Sequence, residues 1–345
     1  MDTEQRRRAD PPPTMGTFRY LVVLTLIVVG IILGLELGGR AYIHLAYGKE
    51  GRTYGIYQAH PVLGGILRPD SYNLIKEFNN RGFQSSRDVP ASKPQDELRI
   101  VTYGGSTTFC YNLPTGEDWP LQLEDRLRER GTNARVLNAG DVSWSLGHIN
   151  VRSREEFAEL DADWVVLYSG LNEYLNADDL AFHGINMADE VAAGRLGTFT
   201  RLLSSSQWLH RNSLIYKATI RWFLPLFGDG KPRVPPFKAD PEALDINYRH
   251  LLRGLIPFWR EHGARVLFVV QGGDPAHEKH YITGMSRNAA DLARELGAVV
   301  VDANEVVRAY PGAPAELFTE TGVHWTRDGA RRLSEFLAER VPWSP

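Results

Sequence analysis

The feature that most constrains the fold is an alternation of short apolar runs with amphipathic segments, which begins at residue 98. Five runs have the length and the β-branched, apolar character of buried strands, at 98–103, 135–137, 164–168, 264–270 and 298–302. Segments with helical spacing of apolar residues follow them, at 118–130, 147–160, 241–262, 283–296 and 328–340. Strands that alternate with helices of this length form a parallel sheet covered on both faces. The sequence therefore predicts an α/β fold with a doubly wound, flavodoxin-like sheet.

Composition excludes several classes of function. The 345 residues carry a net charge of −3, and the Lys and Arg residues are scattered along the chain rather than gathered in one stripe. This distribution does not fit a nucleic-acid partner. The single cysteine, Cys110, excludes an intramolecular disulfide and a cysteine-rich metal site. We expect no cofactor and no bound metal, and the oligomeric state stays open.

An apolar segment near the N-terminus predicts attachment to a membrane. Residues Tyr20 to Leu35 carry no charge, and the apolar character continues to Leu37. This length is at the short end of what crosses a bilayer. We interpret 1–19 as a cytoplasmic tail and 20–37 as a transmembrane anchor. A cleaved signal peptide is the alternative, although the run is long for one and no small-x-small cleavage site follows.

The orientation of this anchor follows from the flanking charges. Four arginines precede the apolar run and three basic residues follow it, namely Arg6, Arg7, Arg8 and Arg19 before, and Arg40, Lys49 and Arg52 after. The positive-inside rule then favours a cytoplasmic N-terminus, by one charge. We expect a single-pass protein of the cell membrane whose remaining chain lies outside, in the periplasm or the extracellular space.

Two further segments complete the predicted organisation. Residues 41–96 are rich in turn signals and predict an N-terminal extension of short strands and loops, before a main domain at 97–345. The β/α alternation pauses at 175–238, where Trp, Leu and Phe are frequent in 201–227. We predict a helical insertion there. It could pack on the main domain, cover the substrate or lie against a membrane.

Chemically useful residues recur where the predicted strands end. The first strand is followed by Gly104-Gly105-Ser106-Thr107-Thr108, the second by 138–143 and the third by Ser169-Gly170-Leu171-Asn172-Glu173. A fourth motif, Thr321-Gly322-Val323-His324-Trp325, precedes the last helix. Each motif alone is ordinary, since a Gly-Gly-Ser is often only a turn. Ligands of parallel sheets bind at the carboxyl ends of the strands, so the four together indicate one site.

In this order the four motifs resemble the conserved blocks of the SGNH, or GDSL-like, hydrolases, over about residues 58–342. The resemblance implies that Ser106 is the nucleophile and His324 its base. It also implies an oxyanion hole formed by the backbone N–H groups of Ser106 and Ser143 and by the side-chain amide of Asn172. Gly140 is the alternative donor if the second loop is shifted.

The chain departs from the family pattern at four positions. Gly105 stands where the family has Asp, Ser143 where it has Gly, and Glu173 where it has Asp. The serious departure is Thr321, in place of the Asp three residues before the histidine. Thr321 can accept a hydrogen bond from the imidazole but adds no charge. Glu320 could turn towards the ring instead, or a backbone carbonyl could leave a Ser–His dyad.

The resemblance implies a serine esterase that hydrolyses O-acyl esters. The expected substrate is an O-acetyl group on a carbohydrate or a cell-surface glycan, or another small ester. A glycan O-acyltransferase that uses the same residues is one alternative, and a catalytically silent glycan-binding relative is another. Three residues near the motifs are expected to be structural: Cys110 as a small buried side chain, Asp118 as a helix cap and Trp325 at the rim of the site.

Overall fold

The N-terminal apolar run forms one long helix, α1 (Thr17–Tyr47), in the computed structural model, which describes residues 16–48, 51–60, 62–175, 213, 215, 241–277 and 284–344. Phe18–Ala46 contains an 18-residue window of mean hydropathy 2.7, none of it buried. Length and composition alone make this helix a candidate membrane span, and a signal sequence has the same properties. It extends beyond residue 37, where Arg40 pairs with Glu36 one turn earlier, at 2.7 Å.

Short strands and turns follow the helix, as the turn signals predicted. They are β1 (Thr53–Tyr54), β2 (Tyr57–His60), β3 (Gly64–Leu67), β4 (Ser71–Tyr72) and β5 (Glu77–Phe78). β2 and β3 form an antiparallel pair, whereas β1, β4 and β5 form a small three-stranded sheet. Buried side chains of this segment, among them Tyr57 and Phe78, pack against Phe109. The extension is thus in direct contact with the segment that follows the first strand of the main sheet.

The apolar runs of the β/α region form a five-stranded parallel sheet. Its strands are β6 (Leu98–Gly104), β7 (Ala134–Asn138), β8 (Trp164–Tyr168), β9 (Arg265–Val270) and β10 (Val299–Asp302). Their spatial order is β7-β6-β8-β9-β10, with every neighbouring pair parallel. In sequence order this is 2-1-3-4-5, the flavodoxin-like arrangement. The predicted fold class is confirmed.

Helices cover both faces of this sheet. They are α2 (Ser106–Phe109), α3 (Trp119–Glu129), α4 (Leu146–Glu156), α5 (Leu171–Leu175), α6 (Pro241–Glu261), α7 (Gly284–Asn288), α8 (Ala290–Glu295), α9 (Asn304–Ala309) and α10 (Arg327–Arg340). Side chains alternate between the two faces along each strand. On β6, Val101 and Tyr103 pack with α4, α6 and α8, and Leu98 and Ile100 pack with α3, α9 and α10.

Two details differ from the sequence-based prediction, and one prediction lies outside the described residues. The helix expected at 283–296 is two short helices, α7 and α8, separated at Ala289. Arg249 of α6 donates to the carbonyl of Asn288, which competes with the helical hydrogen bond there. The short helix α2 was not predicted. The helical insertion at 175–238 lies outside the described residues, except for Leu175, Ser213 and Ile215.

The point where the strand order reverses positions the candidate site. β6 lies between β7 and β8, and Gly104 is in register with Tyr168 at the carboxyl ends of β6 and β8. Ser106 therefore follows the end of one strand by two residues, and Asn172 follows the end of its neighbour by four. Ligands of open α/β sheets bind at such a switch point.

Candidate active site

Ser106 and His324 meet at the carboxyl edge of the sheet. Ser106 is the first residue of α2, and its Oγ lies 2.8 Å from Nε2 of His324. Only 8% of Ser106 is exposed, so the hydroxyl sits in a largely enclosed position. This distance is that of a nucleophile and its general base. The two residues are 218 positions apart in the chain, and the structure brings them together as the motif order predicted.

Thr321 occupies the other side of the imidazole. Its Oγ1 lies 2.8 Å from Nδ1 of His324 and 2.8 Å from Oγ1 of Thr319. If Nε2 accepts the Ser106 proton, Nδ1 carries the ring hydrogen and donates it to Thr321. The Thr321 hydroxyl then donates to Thr319. Thr319 was not identified from the sequence, because nothing in a threonine five residues before a histidine distinguishes it.

Glu320 does not take part in this arrangement. Its side chain is exposed, and it forms no hydrogen bond or ion pair within the part of the chain that the structure describes. The residue next to the imidazole is Thr321, and no carboxylate is hydrogen-bonded to Nδ1 among the described residues. The expectation that Glu320 turns towards the ring is not met in this conformation.

Trp325 fixes the histidine loop, the segment 319–325 that carries His324. The indole Nε1 donates to the hydroxyl of Tyr168 at 3.0 Å, and Asn112 Nδ2 donates to the Trp325 carbonyl at 3.1 Å. A Cβ on Gly272 would lie 2.7 Å from the indole, so the ring fits closely against this glycine. Trp325 is 1% exposed. The expectation that it lies at the rim was wrong, because its hydrogen-bond partner lies at the end of a buried strand.

The loop after β7 carries Ser143 in an unusual conformation. Its φ is +64°, in the left-handed region that glycine adopts freely and that other residues adopt at a cost. A glycine, which the family pattern has at this position, would adopt this φ without strain, and here a serine adopts it. The loop is fixed two residues before Ser143. There Asp141 Oδ1 accepts hydrogen bonds from the Tyr57 hydroxyl and from the Val142 N–H, both at 2.7 Å.

Asn172 lies against the backbone of the nucleophile turn. Its Nδ2 donates to the Trp144 carbonyl at 2.7 Å, which leaves the second hydrogen of the amide to point elsewhere. A Cβ on Gly105 would lie 2.1 Å from this nitrogen, so a side chain there would require the amide to shift. Gly140, the alternative donor, gives its N–H to Asn138 Oδ1 at 3.0 Å and is therefore already used within its own loop.

Glu173 joins the third motif to the second. Its Oε1 accepts the N–H of Leu146, the first residue of α4, at 2.6 Å, and the Ser169 hydroxyl at 3.4 Å. The side chain is buried, and burial raises the pKa of Glu173 to about 7 against the opposing effect of these hydrogen bonds. The structure shows that it fixes the start of the helix that follows the Ser143 loop.

The end of α2 is fixed by side chains from three other elements. Each of its last three carbonyl groups accepts a side-chain donor, within 3.1 Å: Thr107 from Trp119 Nε1, Thr108 from Asn138 Nδ2 and Phe109 from Lys76 Nζ. Lys76 belongs to the N-terminal extension and is 1% exposed. Burial lowers the pKa of Lys76, whereas the negative charge of nearby Asp118 opposes that effect. The extension thus contributes an amino group that donates to the last carbonyl of the nucleophile helix.

Other reactive groups near the site have structural surroundings. Burial raises the pKa of the Cys110 thiol to about 12, which keeps it from acting as a thiolate nucleophile. Asp118 caps α3 by accepting the Leu121 N–H at 3.2 Å, as expected. Within the described ranges, no three His, Cys, Asp or Glu side chains are grouped as metal ligands.

Tyr111 lies at the open side of the histidine. Its ring meets the imidazole of His324 edge to face, with centroids 4.7 Å apart and planes at 87°. Tyr111 is 41% exposed, although Cys110 before it and Leu113 after it are buried. The sequence did not single it out, since an aromatic residue after a nucleophile motif is more often part of the core.

A serine–histidine pair at the carboxyl edge of a flavodoxin-like sheet is an arrangement found in serine hydrolases. The chain belongs to the GDSL-like Lipase/Acylhydrolase family, whose model matches residues 102–332. It is thus an ester-hydrolysing enzyme of the SGNH type, as the sequence motifs indicated.

Solved structures with a similar fold come from several bacteria. An acetylxylan esterase from Geobacillus stearothermophilus is 16% identical, covers 72% of this chain and 96% of its own, and has a TM-score of 0.44. A putative GDSL-like lipase from Parabacteroides merdae is 16% identical, covers 72% and 98%, and has a TM-score of 0.45. A putative lipolytic protein of the G-D-S-L family from Desulfitobacterium hafniense is 13% identical, covers 71% and 99%, and has a TM-score of 0.44. No curated protein matches the chain.

Proposed function

We propose that this enzyme is a serine esterase that removes O-acyl groups, above all O-acetyl groups, from a carbohydrate or a cell-surface glycan. Ester hydrolysis follows from the family. The observation that carries the choice of residues is the continuous row of hydrogen bonds from Ser106 Oγ through the imidazole of His324 to Thr321 Oγ1, with both contacts 2.8 Å long.

The first half of the reaction transfers the acyl group to the enzyme. Ser106 Oγ attacks the ester carbonyl carbon while its proton passes to Nε2 of His324, and the carbonyl oxygen becomes an oxyanion. When this tetrahedral intermediate collapses, its bond to the alcohol oxygen breaks. His324 gives the proton to the departing alcohol, and Ser106 is left acylated.

The second half releases the acid. Water attacks the acyl carbon as His324 Nε2 takes one of its protons, and a second oxyanion forms. Collapse breaks the bond to Ser106 Oγ, which recovers the proton from His324. The acid leaves and the enzyme returns to its starting state.

Three donors suit the oxyanion in this proposal: the Ser106 N–H, the Ser143 N–H and the free hydrogen of Asn172 Nδ2. Ser106 is the first residue of α2, where helical N–H groups lack an intrahelical acceptor. Asn172 Nδ2 lies beside Gly105, immediately before the nucleophile. In comparable sites the loss of one donor lowers kcat by about 10²–10³.

Thr321 takes the position of the third triad member without its charge. In serine proteases, replacing this carboxylate by a neutral amide lowers kcat by about 10⁴, in part because the histidine adopts the wrong tautomer. A threonine hydroxyl keeps the tautomer correct, since it accepts the Nδ1 hydrogen. It stabilises the imidazolium only through its dipole. We therefore propose a Ser106–His324 dyad positioned by Thr321.

The N-terminal helix supports a location at the membrane. We propose that α1 anchors the enzyme in the cell membrane, with residues 1–19 in the cytoplasm and the hydrolase domain outside. The charge difference across the apolar run supports this orientation. Protease treatment of intact cells or spheroplasts tests it: the hydrolase domain should be degraded without lysis. Protection of the domain, or its release in soluble form after loss of the N-terminal segment, would contradict the proposal.

Labelling of the nucleophile tests the chemistry. The full-length enzyme in detergent should react with a fluorophosphonate and hydrolyse p-nitrophenyl acetate, and Ser106→Ala should abolish both. Ser92→Ala, at an exposed serine, is the matched control and should change neither. Weak hydrolysis that becomes rapid acyl transfer when a glycan is added would instead show an acyltransferase. Binding of a glycan with no labelling of Ser106 would show a silent binding protein.

A further inference from the structure

We propose that Tyr111 forms one wall of the subsite for the alcohol half of the ester, and that its exposed ring selects alcohols that are themselves rings, such as sugars. This inference rests on the roles proposed for Ser106 and His324. It concerns the part of the site that lies next to the imidazole of His324.

The position of His324 determines where the alcohol lies. The leaving oxygen must come within hydrogen-bond reach of Nε2, about 3 Å, because that nitrogen returns the proton to it. The carbonyl oxygen points to the proposed oxyanion donors, among them Asn172, whose Nδ2 lies next to Gly105. The rest of the alcohol therefore extends past the imidazole. The exposed aromatic ring at that place is Tyr111, with its centroid 4.7 Å from that of the imidazole.

Tyr111 is held firmly in this place. Cys110 before it has a φ of +49° and turns the chain out of α2. Asn112 after it donates its side-chain amide to the Trp325 carbonyl at 3.1 Å. The backbone on both sides of Tyr111 is thus fixed, the ring contacts the imidazole, and 41% of the residue stays exposed. A rigid, partly exposed aromatic side chain loses little conformational entropy when it binds a ligand.

A purely structural role for Tyr111 makes a different kinetic prediction. An edge-to-face contact that only steadied His324 would affect acylation and deacylation alike, because the histidine acts in both. A wall of the alcohol subsite affects acylation alone, since the alcohol has left before water attacks. In that role, a change at Tyr111 alters the acylation rate by an amount that depends on the alcohol of the ester, and it leaves the deacylation rate unchanged.

Two acetyl esters separate these roles, namely ethyl acetate and an O-acetylated methyl glucoside. For full-length Tyr111→Ala we expect kcat/KM on the acetylated glucoside to fall about 10-fold, the scale of one lost aromatic contact, with ethyl acetate changed less than about two-fold. The deacylation rate constant, from burst kinetics with p-nitrophenyl acetate, and the rate of fluorophosphonate labelling should match the wild type. Tyr111→Phe, which keeps the ring, should behave as the wild type on both esters.

Equal losses on the two esters, or slower deacylation, would overturn the inference and make Tyr111 a support for the histidine. Slower fluorophosphonate labelling of Tyr111→Ala would do the same. The proposed function fails separately, if the wild type shows no hydrolysis that depends on Ser106 with either ester.

Discussion

Thr321 Oγ1 lies 2.8 Å from Nδ1 of His324, where the triad of a serine hydrolase has a carboxylate oxygen. The same hydroxyl is 2.8 Å from Thr319 Oγ1, so the imidazole is followed by two neutral hydroxyls in a row. Such a row orients the ring, and Thr321 stabilises the positive charge that forms on His324 only through its dipole. In the proposed mechanism Thr321 therefore contributes less than a carboxylate at its position would.

Restoring the carboxylate should raise activity. We expect Thr321→Asp to increase kcat/KM about 10-fold, because a hydrogen bond to a charged group contributes about 1 kcal/mol more than a neutral one. Thr321→Ala should lower it about 10-fold, and Thr319→Ala, which removes only the outer hydroxyl, should have a smaller effect. Steady-state hydrolysis of p-nitrophenyl acetate measures all three. If Thr321→Ala leaves kcat/KM unchanged, Thr321 does not position the histidine.

Adding one methyl group at Gly105 should disable the oxyanion hole. The new Cβ would lie 2.1 Å from Asn172 Nδ2, so the amide must move away. We expect Gly105→Ala to reduce kcat about 10²–10³-fold, the effect of losing one donor. Because both changes act on the same donor, adding Asn172→Ala should cost little more.

Gly254→Ala is the matched control for this change. It adds the same methyl group within α6, where the nearest atom, Arg154 Nη2, would be 3.7 Å away. We expect its kcat to equal that of the wild type. Additive losses in the Gly105→Ala, Asn172→Ala double variant would mean that the two residues act independently.

The left-handed conformation of Ser143 predicts an asymmetric response to substitution. Ser143→Gly keeps the backbone N–H and removes a strain of about 1 kcal/mol, so activity should stay within about two-fold and stability should not fall. Ser143→Val places a β-branched side chain at φ +64°, where it fits poorly, and we expect kcat to fall at least about 10-fold. Kinetics and urea unfolding measure both effects. Loss of activity in Ser143→Gly would assign the role to the side chain.

The buried carboxyl of Glu173 predicts a pH dependence of stability. Its pKa is about 7 in the folded protein and near 4.5 when exposed, so the folded state holds this proton more tightly. The contribution of Glu173 to the free energy of unfolding is then highest below pH 4.5 and is lost as the pH rises through 7, a change on the order of 3 kcal/mol. Glu173→Gln keeps an acceptor for the Leu146 N–H but cannot ionise. We expect its thermal unfolding to lose this slope between pH 5 and 7, whereas exposed Glu295→Gln should keep it.

Much of the fold is predictable from the sequence because the buried strands are short, β-branched and apolar, as in Trp164–Tyr168. Ser106, Asn172 and His324 could be found because strand ends and motif order mark their places. Tyr57 and Lys76 could not, since each acts on a residue more than 30 positions away and carries no local signal. The break between α7 and α8 was missed for the same reason, because Arg249 comes from another helix.

The segment related to other hydrolases starts at residue 102, but two of the groups that steady the site come from before it. Tyr57 bonds to the loop that carries Ser143, and Lys76 bonds to the last carbonyl of the nucleophile helix. The cooperative folding unit therefore begins before the segment that matches the family, which starts at residue 102. Residues 51–96 should unfold in the same cooperative transition as the parallel sheet. A chain cut at the start of the homologous segment would expose Phe109 and leave its carbonyl without the Lys76 hydrogen bond.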